Sequence, residues 1–431
     1  MNIKQINLRS SIAADIRSGI KQKTLKPGDR ILPIRKLMKQ YSAPLPTIQR
    51  AINDLVRENI LETIHGKGTF IKLPSDELVI LRSGNLFLSD SSQALINLFM
   101  KTYAGRLKNI RVREIIINSR EPGFGASLPG FDLLLMAETM FREHQWEKQL
   151  LPVNRIIDEK IIRRLEPSAR NIFEYTGKLY ALPFAISPLL LFYNKDLLAK
   201  AGISVNPDLR MSFTEFSRML AQFQKKSGGP GYLFQTPFNR FSHWFNTAGV
   251  RLLENRHKIS GRAIELIKFL KTRLFIPGLA HIADGPEQFI QGNIPCMINN
   301  AYFLNTVPSL SFACSYTYTP FIKKQITNLF GGSFAVSRKS QHLDLCRDFF
   351  LFLIDDNAQN LINNEKISVP AVGMVKQDSI ILTSARQAVP AAEKEYSLTQ
   401  EILKEFLPYL ESKKNLETCI ASSRRLLQKQ H

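Results

Sequence analysis

The stretch from Thr47 to Ile71, TIQRAINDLVRENILETIHGKGTFI, changes its hydrophobic period part-way along. In its first half Ile48, Ala51, Ile52, Leu55 and Val56 recur three and four residues apart, which predicts a helix with one packed face. In the second half, Ile60-Leu61-Glu62-Thr63-Ile64 and Thr69-Phe70-Ile71-Lys72 are strand-like runs around the glycine-rich turn His65-Gly66-Lys67-Gly68, which predicts a β-hairpin. Upstream, Ile34, Leu37, Met38 and Tyr41 predict a second helix, separated from the first by a break at Ser42 to Pro46. Pro46 suits the first turn of the helix that follows it. Further upstream, Leu8, Ile12, Ile16 and Ile20 mark another amphipathic helix that ends before Lys26-Pro27-Gly28-Asp29. Three short helices and a wing-like hairpin result.

Charge is concentrated on this module. Residues 1–75 hold 14 Lys+Arg and 5 Asp+Glu, a net +9, whereas the other 356 residues carry +12 of the total +21. A small basic module suits a polyanion, because cationic side chains release counterions condensed on a phosphate backbone. Helix, helix-turn-helix and wing, in that order on a basic background, form a DNA-binding geometry whose third helix enters the major groove. On the solvent face of that helix Thr47, Gln49, Arg50 and Asn53 are residue types able to contact bases or phosphates.

The segments SIAADIRSGI, LKPGDRI, TIQRAINDLVRENILE and HGKGTFI, over about residues 8–72, resemble the GntR-type winged-helix transcription regulators. By that resemblance Arg35 matches a DNA-contacting arginine, Thr47 a contact at the start of the recognition helix, and Gly66 the wing tip. Lys36, Gln49, Arg50, His65 and Lys67 complete the expected DNA-binding set. The chain departs from the family where Pro44-Leu45-Pro46 replaces a Ser-Arg-x run and Gln49 replaces a second arginine, so its operator is expected to differ.

Beyond a short linker at Leu73 to Glu77, strands and helices alternate. Leu78 to Leu81, Ile115 to Ile117, Phe131 to Met136, Leu189 to Tyr193 and Phe334 to Val336 read as strands, with amphipathic helices at Ser212 to Lys225 and Ser260 to Lys271. This alternation predicts α/β layers. Four segments in order, PGFDLLLM, YTGKLYALPFAISPLLLFYNKDLLAKAGI, FIQGNIPCMINNAYFL and GGSFAVSRKSQHLDLCRDFFLFL, resemble the carbohydrate-class extracellular solute-binding proteins of the maltose-binding type.

Together the two resemblances imply a multi-domain chain: a winged helix-turn-helix (α+β) over 1–74, then a two-lobed α/β periplasmic-binding-protein-like domain over 75–431. Lobe one is expected at about 77–184 and 295–330, and lobe two at about 185–294 and 331–431. A sugar has apolar C–H faces and a rim of hydroxyls, so its cleft needs aromatic platforms and planar hydrogen-bonding groups. By resemblance Trp244 and Tyr302 are the stacking groups and Phe184 lies at the hinge crossing. Glu138 and Thr139 follow a strand at its carboxyl end, where open α/β sheets place ligands. Asn299, Asn300, Gly331 and Gly332 complete the expected polar set.

Several classes find no support. The Gly-x-Gly at 122–130 has Leu128 in place of the third glycine of a dinucleotide loop, and no GxxxxGK[ST], HExxH or nucleophile elbow occurs. Cys296, Cys314, Cys346 and Cys419 form no CxxC pair. Neither an enzyme, a metal site nor a cofactor is expected. The uncharged, strongly apolar run Leu179 to Asn194 is interrupted by Pro183 and Pro188, and Met1 to Ser11 lacks a signal-type apolar run, so a cytoplasmic protein without membrane spans is expected. The expectation is a transcription regulator binding double-stranded operator DNA as a homodimer, with a sugar as its small-molecule effector. The alternative is a cytoplasmic solute-binding protein with a vestigial DNA-binding domain.

Overall fold

Three helices form where the apolar periodicity places them in the computed structural model: α1 (Ile3–Lys21), α2 (Ile34–Gln40) and α3 (Leu45–Arg57). The structure describes residues 3–428 apart from 23, 26–28, 59, 65–67, 72–76, 84–88, 105–110, 118–127, 129, 144–145, 255–257, 365–368, 373–378 and 391–395. Ile12, Ile16, Leu37, Ile48, Ala51, Ile52 and Leu55 meet in one core, closed below by Leu61 and Ile71 of the hairpin. That hairpin pairs β1 (Leu61–Ile64) with β2 (Gly68–Ile71) antiparallel, in the register Leu61↔Ile71 to Ile64↔Gly68. Two ion pairs, Arg9 with Asp54 and Arg17 with Glu58, tie α1 to the carboxyl end of α3. The chain divides into two compact units, this one of Met1–Glu77 with Met100–Arg111, the other of Leu78–Phe99 with Val112–His431.

The second unit is an α/β fold of two lobes. Its first lobe begins with β3 (Glu77–Ser83), β4 (Arg111–Ile117) and β5 (Leu133–Ala137), followed by α4 (Glu138–Glu143) and α5 (Pro167–Phe173). The long strand β6 (Leu182–Asn194), buried throughout, then leaves this lobe for the next. In lobe two follow α6 (Phe213–Ser227), β7 (Tyr232–Gln235), α7 (Phe238–Ala248), α8 (Gly261–Leu270), β8 (Ala280–Ala283), β9 (Cys296–Asn300) and β10 (Cys314–Thr317). Start signals set the helix boundaries: Ser212 Oγ accepts from the Glu215 N–H at 3.3 Å, and the Glu215 carboxylate accepts from the Ser212 N–H at 2.7 Å.

A second long strand, β11 (Thr327–Ser337), returns to lobe one, where β12 (Val369–Pro370) and β13 (Ala388–Pro390) add short edges. The chain ends in α9 (Tyr396–Leu410) and α10 (Leu416–Gln428). One sheet runs β8-β7-β9-β6-β11-β5-β3-β4 through both lobes. β6 carries the hinge in its register: residues 182–188 pair with β11, and residues 189–194 pair with β9 and β10.

The expected lobe boundaries after residue 294 are therefore corrected. Residues 296–300 and 314–317 pair with the second half of β6 in lobe two, while Val336 and Gly332 of β11 pair with Leu133 and Ala137 of lobe one. The final helices α9 and α10 join lobe two, where Ile402, Phe406 and Cys419 share a core with Trp244 and Phe216. Cys296 and Ile298 face that same core, which is why β9 stays in lobe two. Among the described residues no helix is long and apolar enough to cross a membrane.

Candidate DNA interface and effector cleft

On α2, Arg35 and Lys36 are exposed, and on α3 so are Gln49, Arg50 and Asn53. These side chains stand on the faces left over once Leu37, Ile48, Ala51, Ile52 and Leu55 have been buried. Thr47 is a correction. It is 5% exposed and shares the packed side of α3 with Ile48, so its hydroxyl offers almost no surface to a phosphate. His65, Gly66 and Lys67 lie outside the described residues.

In the second unit the carboxyl ends of β5, β7 and β9 carry Glu138, Gln235 and Asn300, and the crossing strands run between them. Glu138 is fully buried; its Oε2 accepts from the Gly331 N–H at 3.3 Å, and its Oε1 has no partner among the described residues. Burial pushes its carboxyl up to about 7, against the opposing pull of the Gly331 N–H, the first N–H groups of α4 and the Arg240 charge.

Arg240, on α7 of lobe two, donates from Nη2 to Asn299 Oδ1 at 2.7 Å and from Nη1 to Asn239 Oδ1 at 2.9 Å, with its guanidinium 5.3 Å from the Phe330 ring centroid. Glu138 and Arg240 thus meet consecutive residues of β11, one from each lobe. Ser187 pairs with Phe330 across β6 and β11, and its Oγ accepts from the Tyr302 N–H at 3.1 Å. Asn299 Oδ1 also accepts from the Asn300 N–H at 2.9 Å. A polar set therefore gathers at the crossing: the buried Glu138, Ser187, Asn299 and Asn300, the half-buried Arg240 and the backbone at Gly331.

Of the residues expected to contact a ligand, Glu138 is hydrogen-bonded to Gly331, Asn299 to Asn300, and Tyr302 through its N–H to Ser187. Gly332 lies next in β11, opposite Ala137, and Thr139 is half-buried on α4. A side chain at Gly331 would meet Ile172 and Phe173 at 3.1 Å, so glycine there permits close packing of α5 on β11. Two aromatic expectations are corrected. Trp244 is 1% exposed and packs edge-to-face on Phe213, 5.4 Å away, in the lobe-two core. Phe184 is fully buried against Phe334 inside lobe one, at 5.5 Å. Neither ring offers a face to a ligand. Sequence reasoning missed Gln235, Asn239 and Arg240, although Thr236-Pro237 already marks a strand end passing into a helix, the place where ligand groups collect.

The family described as "Bacterial extracellular solute-binding protein" matches residues 125–370. The chain belongs to the bacterial extracellular solute-binding protein family. Residues 8–71 match "Bacterial regulatory proteins, gntR family", so this solute-binding-family chain also carries a gntR-family domain. Among curated proteins it is 24% identical over 187 residues to the maltotriose-binding protein of Pyrococcus abyssi, covering 41% of this chain and 39% of that one. Its N-terminal part is 37% identical over 65 residues to the mannosyl-D-glycerate transport/metabolism system repressor MngR of Escherichia coli, covering 15% of this chain and 27% of the repressor. The chain spans between 39% and 52% of the length of the oligosaccharide-binding relatives it matches. The ABC substrate-binding protein Lmo0181 from Listeria monocytogenes, solved with cycloalternan, shares the fold with a TM-score of 0.68 at 16% identity, over 83% of this chain and 99% of its own.

Proposed function

We propose that the chain is a ligand-responsive DNA-binding transcription regulator whose effector is a carbohydrate held between the two lobes. The observation that carries this reading is the presence, in one chain, of a gntR-family domain and a solute-binding-family domain whose polar residues converge where the lobes join. The sugar class is supported by the names of the relatives, which bind maltotriose, arabinooligosaccharides or galactooligosaccharides. The buried amides and carboxyl at the crossing suit hydroxyl groups, which both donate and accept.

The mechanism proposed is a population shift. A sugar that contacts Glu138 from one lobe and Arg240, Asn299 and Tyr302 from the other favours the closed arrangement by its extra affinity for it. In a homodimer on a two-fold operator that change would alter how two recognition helices match half-sites about 34 Å apart. A cytoplasmic location follows from the proposed contact with operator DNA.

The test is fluorescence anisotropy of the full chain on labelled DNA from upstream of its own gene, with and without a panel of mono- and oligosaccharides, alongside thermal unfolding with the same panel. One sugar class that raises the unfolding temperature and changes DNA affinity supports the proposal. DNA binding indifferent to every sugar that binds would refute the coupling.

A further inference from the structure

Residues 29–31 join the wing as a third strand segment. The Ile31 N–H donates to Thr69 O at 3.0 Å, the Ile71 N–H donates to Asp29 O at 2.8 Å, and Arg30 bridges antiparallel to Phe70. Successive residues of an extended segment point to opposite faces. Ile31 accordingly enters the core at 6% exposure, and Arg30 points out and is exposed. Its guanidinium packs against Gly68, the first residue of β2. A Cβ at position 68 would fall 2.6 Å from Arg30 Nε, 2.9 Å from Nη2 and 3.0 Å from Cζ. Gly68 also has φ of 121°, so only glycine meets both the conformation and the close approach.

Three other arginines of this unit are already committed, Arg9 and Arg17 to Asp54 and Glu58, with Arg57 3.8 Å from Asp54, whereas Arg35 and Arg50 are exposed on α2 and α3. Among the described residues Arg30 has no carboxylate partner. A planar cation fixed against a backbone surface, exposed and without an acid, is arranged for an anion from outside. Because its rotamer is already set, little conformational entropy remains to be lost on contact.

We propose that Arg30 is a DNA-contacting residue that donates to a backbone phosphate of the duplex beside the wing, a contact that adds affinity and register without reading a base. This rests on the reading of the first unit as a DNA-binding domain. A phosphate contact has a signature that a purely structural prop lacks: it contributes counterion release, so it enters the salt dependence of binding.

The experiment is anisotropy of the full chain on a labelled duplex of about thirty base pairs and arbitrary sequence, titrated at several salt concentrations. Arg30→Met keeps the methylene stem over Gly68 and removes the charge; Arg30→Lys keeps a charge and loses the planar fork. For Arg30→Met the slope of log affinity against log salt should flatten by about one, with affinity at low salt down roughly three- to tenfold. Arg30→Lys should recover the slope. A Met variant with the wild-type slope, or a Lys variant that loses as much as Met, would overturn the phosphate contact while leaving DNA binding intact. Wild-type protein with no salt-dependent affinity for the duplex would overturn both this contact and the DNA-binding reading. Thermal unfolding of each variant shows whether the winged-helix unit is still folded, and a prop would reveal itself there as a loss of stability in both variants.

Discussion

The Glu138 carboxylate accepts the Gly331 N–H at 3.3 Å, and the ring of the preceding residue, Phe330, lies 5.3 Å from the Arg240 guanidinium. A buried acid of lobe one and a half-buried arginine of lobe two therefore grip adjacent residues of the strand that connects the lobes. Glu138 Oε1 is left without a partner among the described residues. An orphaned buried acceptor is costly as a carboxylate and far less so as a carboxyl, whose proton can be shared.

Glu138 should therefore make stability fall as pH rises. Its folded value of about 7 lies above the ordinary 4.5, so the folded state holds the proton more tightly and gains stability that is complete below about 4.5. That contribution is lost progressively up to about 7 and is absent above it. The whole effect amounts to at most about 3 kcal/mol. Glu138→Gln, which keeps an acceptor for Gly331 and adds no charge, should flatten this dependence and be the more stable protein at pH 8. Denaturant midpoints at pH 5 and pH 8 measure it, and parallel pH profiles for the two proteins would rule the effect out.

Helix α3 was legible in the sequence because Ile48, Ala51, Ile52 and Leu55 follow the helical period, and they line its buried side. The destination of the returning strands was not. Residues 296–300 and 327–337 are both apolar strands flanked by loops, and which half of β6 each pairs with depends on long-range partners that no local pattern encodes. The same limit explains Trp244 and Arg240, four residues apart on α7. The resemblance favours the tryptophan as a sugar platform, yet the two stand one turn apart on nearly the same face, so periodicity does not separate them: Trp244 packs into the lobe-two core, while Arg240, a turn nearer the start of α7, reaches β11.

Replacing Trp244 should therefore act on stability. With its ring packed on Phe213, Phe216 and Tyr232, Trp244→Ala should cost about 3 to 5 kcal/mol through the cavity it opens. Tyr302 is half-buried rather than part of the core, so Tyr302→Ala should lower the unfolding temperature clearly less than Trp244→Ala and reduce the shift produced by a bound sugar. Differential scanning calorimetry of both variants, with and without the sugar, separates the two roles; equal losses of stability would contradict this assignment.

A similar division is expected within α3. Arg50 is exposed and Thr47 is buried. Arg50→Ala should weaken duplex binding by about 1 to 3 kcal/mol if it reads a base, or lower the salt slope by about one if it holds a phosphate. Thr47→Ala should lower the stability of the winged-helix unit and leave the affinity of the folded protein for DNA within about twofold, well below the loss expected for a lost base contact. A DNA-binding defect in Thr47→Ala without any change in unfolding would restore Thr47 to the interface.

Arg240 offers the most specific check on the link across the lobes, because its charge holds the Glu138 carboxyl down while burial drives it up. Arg240→Gln removes that charge, so Glu138 should keep its proton to a higher pH. Relative to the matching protein that also carries Glu138→Gln, the decline in stability should then continue beyond pH 7, where the wild-type curve has levelled. Arg240→Lys should bring the plateau back, since it restores the charge, yet it should still weaken sugar binding: a single ammonium does not reproduce the fork that holds Asn239 and Asn299 at 2.9 and 2.7 Å. The four proteins of the cycle, followed by denaturant midpoint from pH 5 to pH 9, isolate the coupling from the separate cost of each substitution. If the Arg240→Gln curve levels at the same pH as wild type, the two side chains do not sense each other, and Glu138 titrates under the control of its own lobe alone.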